Sequence, residues 1–109
     1  MSARIVILDL LEPAGTGGLS IATQAAYEAG AGEVFPIATG LDNGSDDIAL
    51  SPARTVEQSL DAALRYPVQA LLIGRLGNSE IAAAVSKALE SDLPETLIFA
   101  PGPYVPPRS

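Results

Sequence analysis

The chain has 109 residues and a mass of 11.1 kDa, which is enough for one domain with a hydrophobic core of its own. It contains neither cysteine nor histidine, which excludes disulfide scaffolds, thiol or histidine catalysis and cysteine-ligated zinc. Thirteen acidic and six basic residues give a net charge of −7, and no apolar run approaches the ~20 residues that span a bilayer, so we expect a cytoplasmic domain that binds neither nucleic acid nor membrane.

The first predicted strand, residues 5–11, is a nearly unbroken apolar run that contains Asp9. Such a run is typical of a strand that is covered on both faces. A glycine-rich turn, residues 15–18, ends it, and a helix follows that we expect to end at Gly30. The buried stripe of this helix is predicted to consist of Ile21, Ala22, Ala25, Ala26 and Ala29.

The second predicted strand runs from about Glu33 to Thr39, although Pro36 lacks a backbone donor for the ladder. Residues 40–51, which contain turn-forming residues, are interpreted as a loop. A second helix is expected to begin near Thr55, because Thr55 and Gln58 have the spacing of a capping box. Its predicted buried positions are Val56, Leu60 and Leu64.

A third strand is predicted over residues 69–73, followed by a turn, Gly74 to Gly77. Asn78 or Ser79 is expected to cap a third helix. The inner face of that helix is predicted to consist of Ile81, Val85 and Leu89. A fourth short strand is predicted from Thr96 to Phe99.

Strands and helices alternate along the chain, which predicts parallel βαβ units and a three-layer α/β sandwich with a mostly parallel sheet. Residues 1–100 are predicted to form the single domain, and residues 101–109 an extended, Pro-rich tail. Ligands of such sheets bind at the carboxyl ends of the strands. The turns after Leu11, Thr39 and Ile73 are therefore where a site is expected.

One candidate site is the turn after the first strand, which contains Glu12, Gly15, Gly17 and Gly18. A glycine turn at the start of a helix presents backbone N–H groups that can bind an anion. The alternative is a tight turn in which glycine only permits close packing of the helix on the sheet. The stretch lacks the Lys-Ser/Thr ending of a phosphate-binding P-loop.

A second candidate site combines Asp9 in the first strand with Arg75 at the end of the third. A buried carboxylate needs a partner, and Arg75 is within reach if these two strands are neighbours. Two interpretations stay open: a structural ion pair, or a pocket of Asp9, Asn43 and Arg75 in which Arg75 binds a small anionic ligand. No metal site or cofactor is predicted, because the acidic residues of the loop do not follow a calcium-binding pattern: Asp42, Asp46 and Asp47.

Five segments carry a further pattern, in this order: Leu11–Gly18, Glu28–Ala31, Val56–Ala62, Ile73–Ile81 and Ile98–Pro101. The first is similar to a turn of the form S/T-D-P-S-G-G-A-G, and the fourth to I-G-M-L-x-x-x-x-I. In order and spacing the five segments resemble the hydroxymethylpyrimidine and phosphomethylpyrimidine kinases of thiamine biosynthesis, in the ribokinase-like superfamily. The resemblance implies half of a ribokinase-like fold, because it stops about midway through a family member.

The resemblance also bears on activity. It implies that the missing half would carry the nucleotide site and the catalytic aspartate. The four positions that hold the pyrimidine in the family correspond here to Leu10, Ala22, Asn43 and Arg75, of which only Asn43 keeps a similar group. We therefore predict a degenerate half-domain without catalytic residues, which acts as a small-ligand or protein-binding module and is not an autonomous kinase. The alternative is a subunit or fragment of a split phosphomethylpyrimidine kinase.

A half-sized sheet implies surfaces that the chain itself does not cover. We therefore expect a homodimer or docking to a larger protein partner. The expected ligand is small and either anionic or pyrimidine-like.

Overall fold

The computed structural model describes residues 3–12, 17–43, 48–91 and 93–99. The predicted turn at Gly15 and the predicted tail, residues 101–109, lie outside these ranges. In chain order the elements are β1 (Arg4–Leu11), α1 (Gly18–Glu28), β2 (Glu33–Asp42), β3 (Ile48–Leu50), α2 (Ala53–Leu64), β4 (Ala70–Ile73), α3 (Ser79–Ser91) and β5 (Thr96–Phe99). Within the described ranges the strands form one sheet of order β3-β2-β1-β4-β5. The predicted α/β class with a mostly parallel sheet is confirmed.

The helices cover the two faces of the sheet, as a three-layer sandwich requires. On one face α1 buries Leu19 against Ile7 of β1 and Val34 of β2. On the other face α2 and α3 pack against β1 and β4 around a larger cluster, whose most buried members include Val6, Leu8, Val56, Leu60, Leu71, Ile73 and Ile81. Burial of this apolar surface is the main source of stability.

The order of the strands creates a crevice at one edge of the sheet. β1 lies between β2 and β4 and is parallel to both. The chain leaves β1 toward α1 on one face and leaves β4 toward α3 on the opposite face. Because the two connections diverge, the carboxyl ends of β1 and β4 flank an opening, which is where open α/β sheets bind their ligands.

The region predicted as a loop, residues 40–51, is corrected by the structure. β2 continues to Asp42, and Ile48–Leu50 form an antiparallel strand against its last three residues. Three residues are too few to show strand periodicity, so β3 was missed.

Two details of the predicted helices are also wrong. In α1, Leu19, Ala22 and Ala26 face the sheet, whereas Ile21 and the other predicted positions, Ala25 and Ala29, are exposed. The helix begins at Gly18, so Leu19 in its first turn sets the stripe. The helix α2 begins at Ala53 and not near Thr55, because Pro52 is its N-cap residue: the carbonyl oxygen of Pro52 accepts the first hydrogen bond of the helix, from the N–H of Val56 at 3.2 Å. The stripe predicted for α2 and the Asn78 cap of α3 are confirmed.

The last strand differs from the others in burial. All four residues of β5 are exposed, although β5 is parallel to β4 and in register with it. The helix α1 packs on β1 and β2, at the other side of the sheet from β5.

Among the helices of the described ranges, none is long and apolar enough to cross a membrane.

Candidate functional site

Asp9 lies near the end of β1, where its carboxylate joins this strand to the chain that follows β4. Its Oδ1 accepts hydrogen bonds from the backbone N–H of Leu10 at 2.7 Å and of Arg75 at 3.1 Å. The same oxygen accepts a third from Arg75 Nε at 3.3 Å. The predicted proximity of Asp9 and Arg75 follows from the parallel pairing of β1 with β4.

The guanidinium of Arg75 contacts three carboxylates, which we call the carboxylate–arginine cluster: Asp9, Glu12, Asp42 and Arg75. Besides Asp9, Arg75 Nη2 donates to Glu12 Oε1 at 2.9 Å, and Nη1 lies 3.7 Å from Asp42 Oδ2. All four side chains are partly exposed, Arg75 the most. The cluster therefore borders solvent and can be reached by a ligand.

The electrostatics of the cluster keep Arg75 charged. Burial by itself lowers the pKa of the Arg75 guanidinium, but its hydrogen bonds and charge contacts with Glu12 and Asp9 outweigh burial and hold the pKa above its ordinary value. A group with a raised pKa stabilises the fold at all pH values below its unfolded pKa, and this contribution is lost only as pH rises through the folded pKa. Arg75 therefore remains a cation except under strongly alkaline conditions.

Two glycines allow the backbone to approach the cluster closely. A Cβ added at Gly74 would lie 2.5 Å from Cγ and Oδ2 of Asp9, so a side chain there would displace this carboxylate. Gly18, the first residue of α1, has φ +63 and would bring a Cβ against the carbonyl oxygen of Leu10. Both positions therefore favour glycine for steric reasons.

Glu12 lies beside the start of α1. A Cβ added at Gly17, the residue that precedes this helix, would lie 2.6 Å from Glu12 Oε2. The amino end of a helix carries a partial positive charge, which favours a nearby carboxylate. The chain thus supplies a carboxylate of its own close to the place where the sequence predicted a bound anion.

Thr39 is part of the site and was missed at the level of sequence. It is fully buried, and its Oγ1 donates a hydrogen bond of 2.7 Å to the carbonyl oxygen of Arg75. The neighbouring Ser51 donates to the carbonyl of Ala38 at 3.0 Å. The signal available in the sequence was a hydroxyl side chain at the end of an apolar run. Its hydrogen-bond partner could not be identified from the sequence, because it is a backbone carbonyl 36 positions away.

An apolar groove adjoins the cluster on the face of the sheet that carries α1. It has a volume of about 380 Å³ and is lined by Leu11, Leu19, Ser20, Thr23, Pro36 and Ala38. Ala38 is the register partner of Asp9, and Leu11 directly precedes Glu12, so the groove and the cluster are adjacent. The Oγ1 atom of Thr23 is buried and has no hydrogen-bond partner among the described residues.

The structure thus brings together most of the residues predicted as a site. Asp9, Glu12 and Arg75 are in contact, and Gly18 lies against them. Asn43 is exposed, and no described contact joins it to Asp9 or Arg75. Gly15 lies outside the described residues. Within the described ranges, no group of acidic side chains has the arrangement of a metal site.

Comparison with known proteins gives similarity at the level of structure. No family model and no curated protein matches the chain. The chain is similar to the pyridoxal kinase from Staphylococcus aureus in complex with AMP-PCP and pyridoxal, with a TM-score of 0.79 and 17% identity over 91% of this chain and 38% of that one. It is also similar to the phosphomethylpyrimidine kinase from Clostridium difficile 630, with a TM-score of 0.78 and 14% identity over 91% of this chain and 44% of that one.

A third solved structure, described as the last common ancestor of HMPPK and PLK/HMPPK vitamin kinases, gives a TM-score of 0.77 and 20% identity over 91% of this chain and 48% of that one. Over the matched residues the chain therefore shares the fold of these kinases. It spans less than half the length of each of the three.

Proposed function

We propose that the chain is a non-catalytic module that binds a small pyrimidine-like compound at the carboxyl ends of β1 and β4. The observation that carries the proposal is the carboxylate–arginine cluster, which borders solvent at the crevice between two diverging connections. Convergent polar groups beside an apolar groove are the usual features of a small-molecule site.

The charges of the cluster select among the expected ligands. Three carboxylates surround one guanidinium, so negative formal charges exceed positive ones. An anion would have to displace Asp9 or Glu12 from Arg75 and would meet the repulsion of the remaining carboxylates. A ring with amino groups instead donates hydrogen bonds to the carboxylate oxygens, and we therefore favour a pyrimidine-like ligand over an anionic one.

The adjacent groove can hold the part of such a ligand that does not contact the carboxylate–arginine cluster. Its volume of about 380 Å³ is at the lower end of the range for small-molecule sites. Leu11, Leu19 and Ala38 offer apolar surface for a ring.

The absence of catalysis is part of the proposal and is supported by the residues at the positions that correspond to the kinase motif. The chain has an arginine, Arg75, where the motif has methionine, and Ala22 where it has aspartate. Cytoplasmic location and a place in thiamine biosynthesis stay predictions.

Titration calorimetry with three probes tests the proposal: 4-amino-5-hydroxymethyl-2-methylpyrimidine, pyridoxal and inorganic phosphate. We expect the aminopyrimidine to bind and phosphate not to bind. Substitution Glu12→Gln removes one carboxylate and is expected to weaken aminopyrimidine binding about tenfold, whereas Glu90→Gln on the exposed face of α3 leaves it unchanged. Equal affinity of both variants, or preferential binding of phosphate, contradicts the proposal.

A split kinase is the second candidate, and the coverage of the solved enzymes favours it. The chain aligns over 91% of its own length but only 44% of the phosphomethylpyrimidine kinase. The discriminating assay mixes the chain with the remaining portion of such an enzyme, with ATP and the aminopyrimidine. Formation of the phosphorylated alcohol only in the mixture would establish the split kinase. No turnover in the mixture, together with binding by the chain alone, supports the non-catalytic module.

A further inference from the structure

We propose that Thr39 is a positioning residue, whose hydroxyl holds the backbone of Arg75 and thereby keeps the guanidinium in the carboxylate–arginine cluster and raises the affinity of the ligand site. The part that concerns the ligand rests on the proposed function, whereas the contact between Thr39 and Arg75 exists without a ligand. Among the described residues, Thr39 is the only polar side chain that is fully buried. Its Oγ1 donates a hydrogen bond of 2.7 Å to the carbonyl oxygen of Arg75.

Thr39 lies in a β-bulge of β2. Asp9 of β1 is the register partner of Ala38, whereas the next residue of β1, Leu10, is the partner of Gly40. Thr39 is therefore an extra residue of β2 that has no register partner on β1. Bulges change the direction of a side chain and are common beside functional sites. This bulge lies at the level of Asp9, the carboxylate that joins β1 to the chain after β4.

The hydrogen bond of Thr39 spans the central strand of the sheet. β1 lies between β2 and β4, and Arg75 follows β4, so a residue of β2 contacts the connection after β4 across the end of β1. The contact therefore fixes this connection to a strand that β4 does not itself touch in the ladder.

The backbone of Arg75 is held by side chains and not by the ladder. Gly74, the residue after β4, still donates its N–H to the carbonyl oxygen of Leu8 on β1, at 2.7 Å. At Arg75 two side chains provide the contacts instead: Asp9 accepts its N–H at 3.1 Å, and Thr39 donates to its carbonyl oxygen at 2.7 Å. The peptide groups on both sides of the Arg75 Cα are thus fixed, and the Cα with them.

The guanidinium of Arg75 depends on this fixed backbone. The side chain is 34% exposed, and its contacts with Glu12 and Asp42 are ion pairs of 2.9 and 3.7 Å. Partly exposed ion pairs contribute little individually, because solvent screens them and ordering a long side chain costs entropy. They form together only where the Cα allows one guanidinium to reach all three carboxylates. We therefore expect loss of the Thr39 hydroxyl to release the guanidinium as well as the carbonyl.

A guanidinium that leaves its place would change the proposed ligand site. The carboxylates of the cluster are the groups that accept hydrogen bonds from the ring, and Arg75 orders two of them by direct hydrogen bonds, Asp9 and Glu12. Binding to a site that is already ordered costs less free energy than binding to one that the ligand must first order. Thr39 therefore raises the affinity without touching the ligand.

Two variants separate the hydroxyl of Thr39 from its packing: Thr39→Val keeps the shape of the side chain, and Thr39→Ser keeps the hydroxyl. NMR spectra of the ligand-free chains follow the Nε–H of Arg75, which donates to Asp9 at 3.3 Å. We expect this proton to exchange with water at least about fivefold faster in Thr39→Val and at an unchanged rate in Thr39→Ser. The control for a loss of stability alone is Val68→Ala, a buried position just before the amino end of β4, which should also leave the rate unchanged.

Calorimetry with 4-amino-5-hydroxymethyl-2-methylpyrimidine measures the consequence for the ligand. Thr39→Val should weaken binding about tenfold and Thr39→Ser less than about twofold, whereas Val68→Ala should leave binding unchanged. Equal affinity of Thr39→Val and the unmodified chain overturns the proposal. If the unmodified chain does not bind the compound, the proposed function fails, and the exchange of the Arg75 Nε–H alone then decides whether Thr39 positions Arg75.

A measurement on the unmodified chain does not depend on how the variants fold. The hydroxyl of Thr39 is fully buried and donates to a carbonyl, so its proton should exchange slowly enough to give a resonance of its own, with a nuclear Overhauser effect to Arg75. Absence of that resonance overturns the proposal. Exchange of the Arg75 Nε–H that is as fast in Val68→Ala as in Thr39→Val overturns it as well, because the effect would then follow from lost stability.

Discussion

The strands β4 and β5 have the same length, lie side by side and match residue for residue, yet they differ completely in burial. Leu71 of β4 is 0% exposed, whereas Leu97, its register partner on β5, is 41% exposed. Both strands are apolar, so composition does not distinguish them. The difference arises because β4 lies between two strands and beneath helices, whereas β5 is at the end of the sheet.

The two strands also lead to different kinds of surface. β4 runs directly into Gly74 and Arg75, where charges and hydrogen bonds are concentrated. The exposed side chains of β5 carry no charge. The proposed ligand site therefore lies at the end of β4, whereas β5 presents an uncharged, mostly apolar surface.

The largest expected effect is the difference in stability lost when a leucine is shortened to alanine in β4 and in β5. Leu71→Ala should lower the free energy of unfolding by about 2–5 kcal/mol, because it leaves a cavity in the core. Leu97→Ala removes the same atoms from a partly exposed position and should cost less than about 1 kcal/mol in the monomer. Urea unfolding at low protein concentration measures both. Similar losses for the two variants would show that β5 is buried in solution.

A smaller effect is expected at the carboxylate beside the end of β4. Asp9→Ala removes the acceptor of three hydrogen bonds and should destabilise the fold by about 1–3 kcal/mol, a range that allows for the partial exposure of Arg75. Asp61→Ala on the exposed face of α2 is the control and should change stability by less than about 0.5 kcal/mol. Thermal unfolding at neutral pH compares them, and equal melting temperatures would exclude a structural role for Asp9.

The smallest effect concerns the helix that follows β4. Asn78 Oδ1 accepts the N–H of Ile81 at 2.8 Å, so Asn78→Ala should lower the free energy of unfolding by about 1 kcal/mol. Asn43→Ala changes an exposed asparagine outside any helix and should have no measurable effect on urea unfolding. A loss at Asn43 as large as at Asn78 would contradict the role of Asn78 as a helix cap.

The sequence was sufficient to predict much of the fold but not the burial of its elements. Four strands and three helices follow from apolar runs and from Gly, Pro and Asn at their ends, and the Asp9–Arg75 contact follows from parallel strands that share one edge. β3 was not predicted because a strand of three residues is too short to show an alternation of apolar and polar side chains. Thr39 was missed because its partner is a distant backbone carbonyl, and the exposure of β5 depends on which elements surround it.

The ligand site can be tested directly by following backbone amide resonances while 4-amino-5-hydroxymethyl-2-methylpyrimidine is added to the full chain. The amides of Leu10 and Arg75 both donate to Asp9, so binding at the carboxylate–arginine cluster should shift their resonances in a saturable way. The amides of Leu97 and Phe99 on β5 should not move at constant protein concentration. Saturable shifts confined to β5, or no shifts at any concentration of the pyrimidine, would contradict a ligand site between β1 and β4.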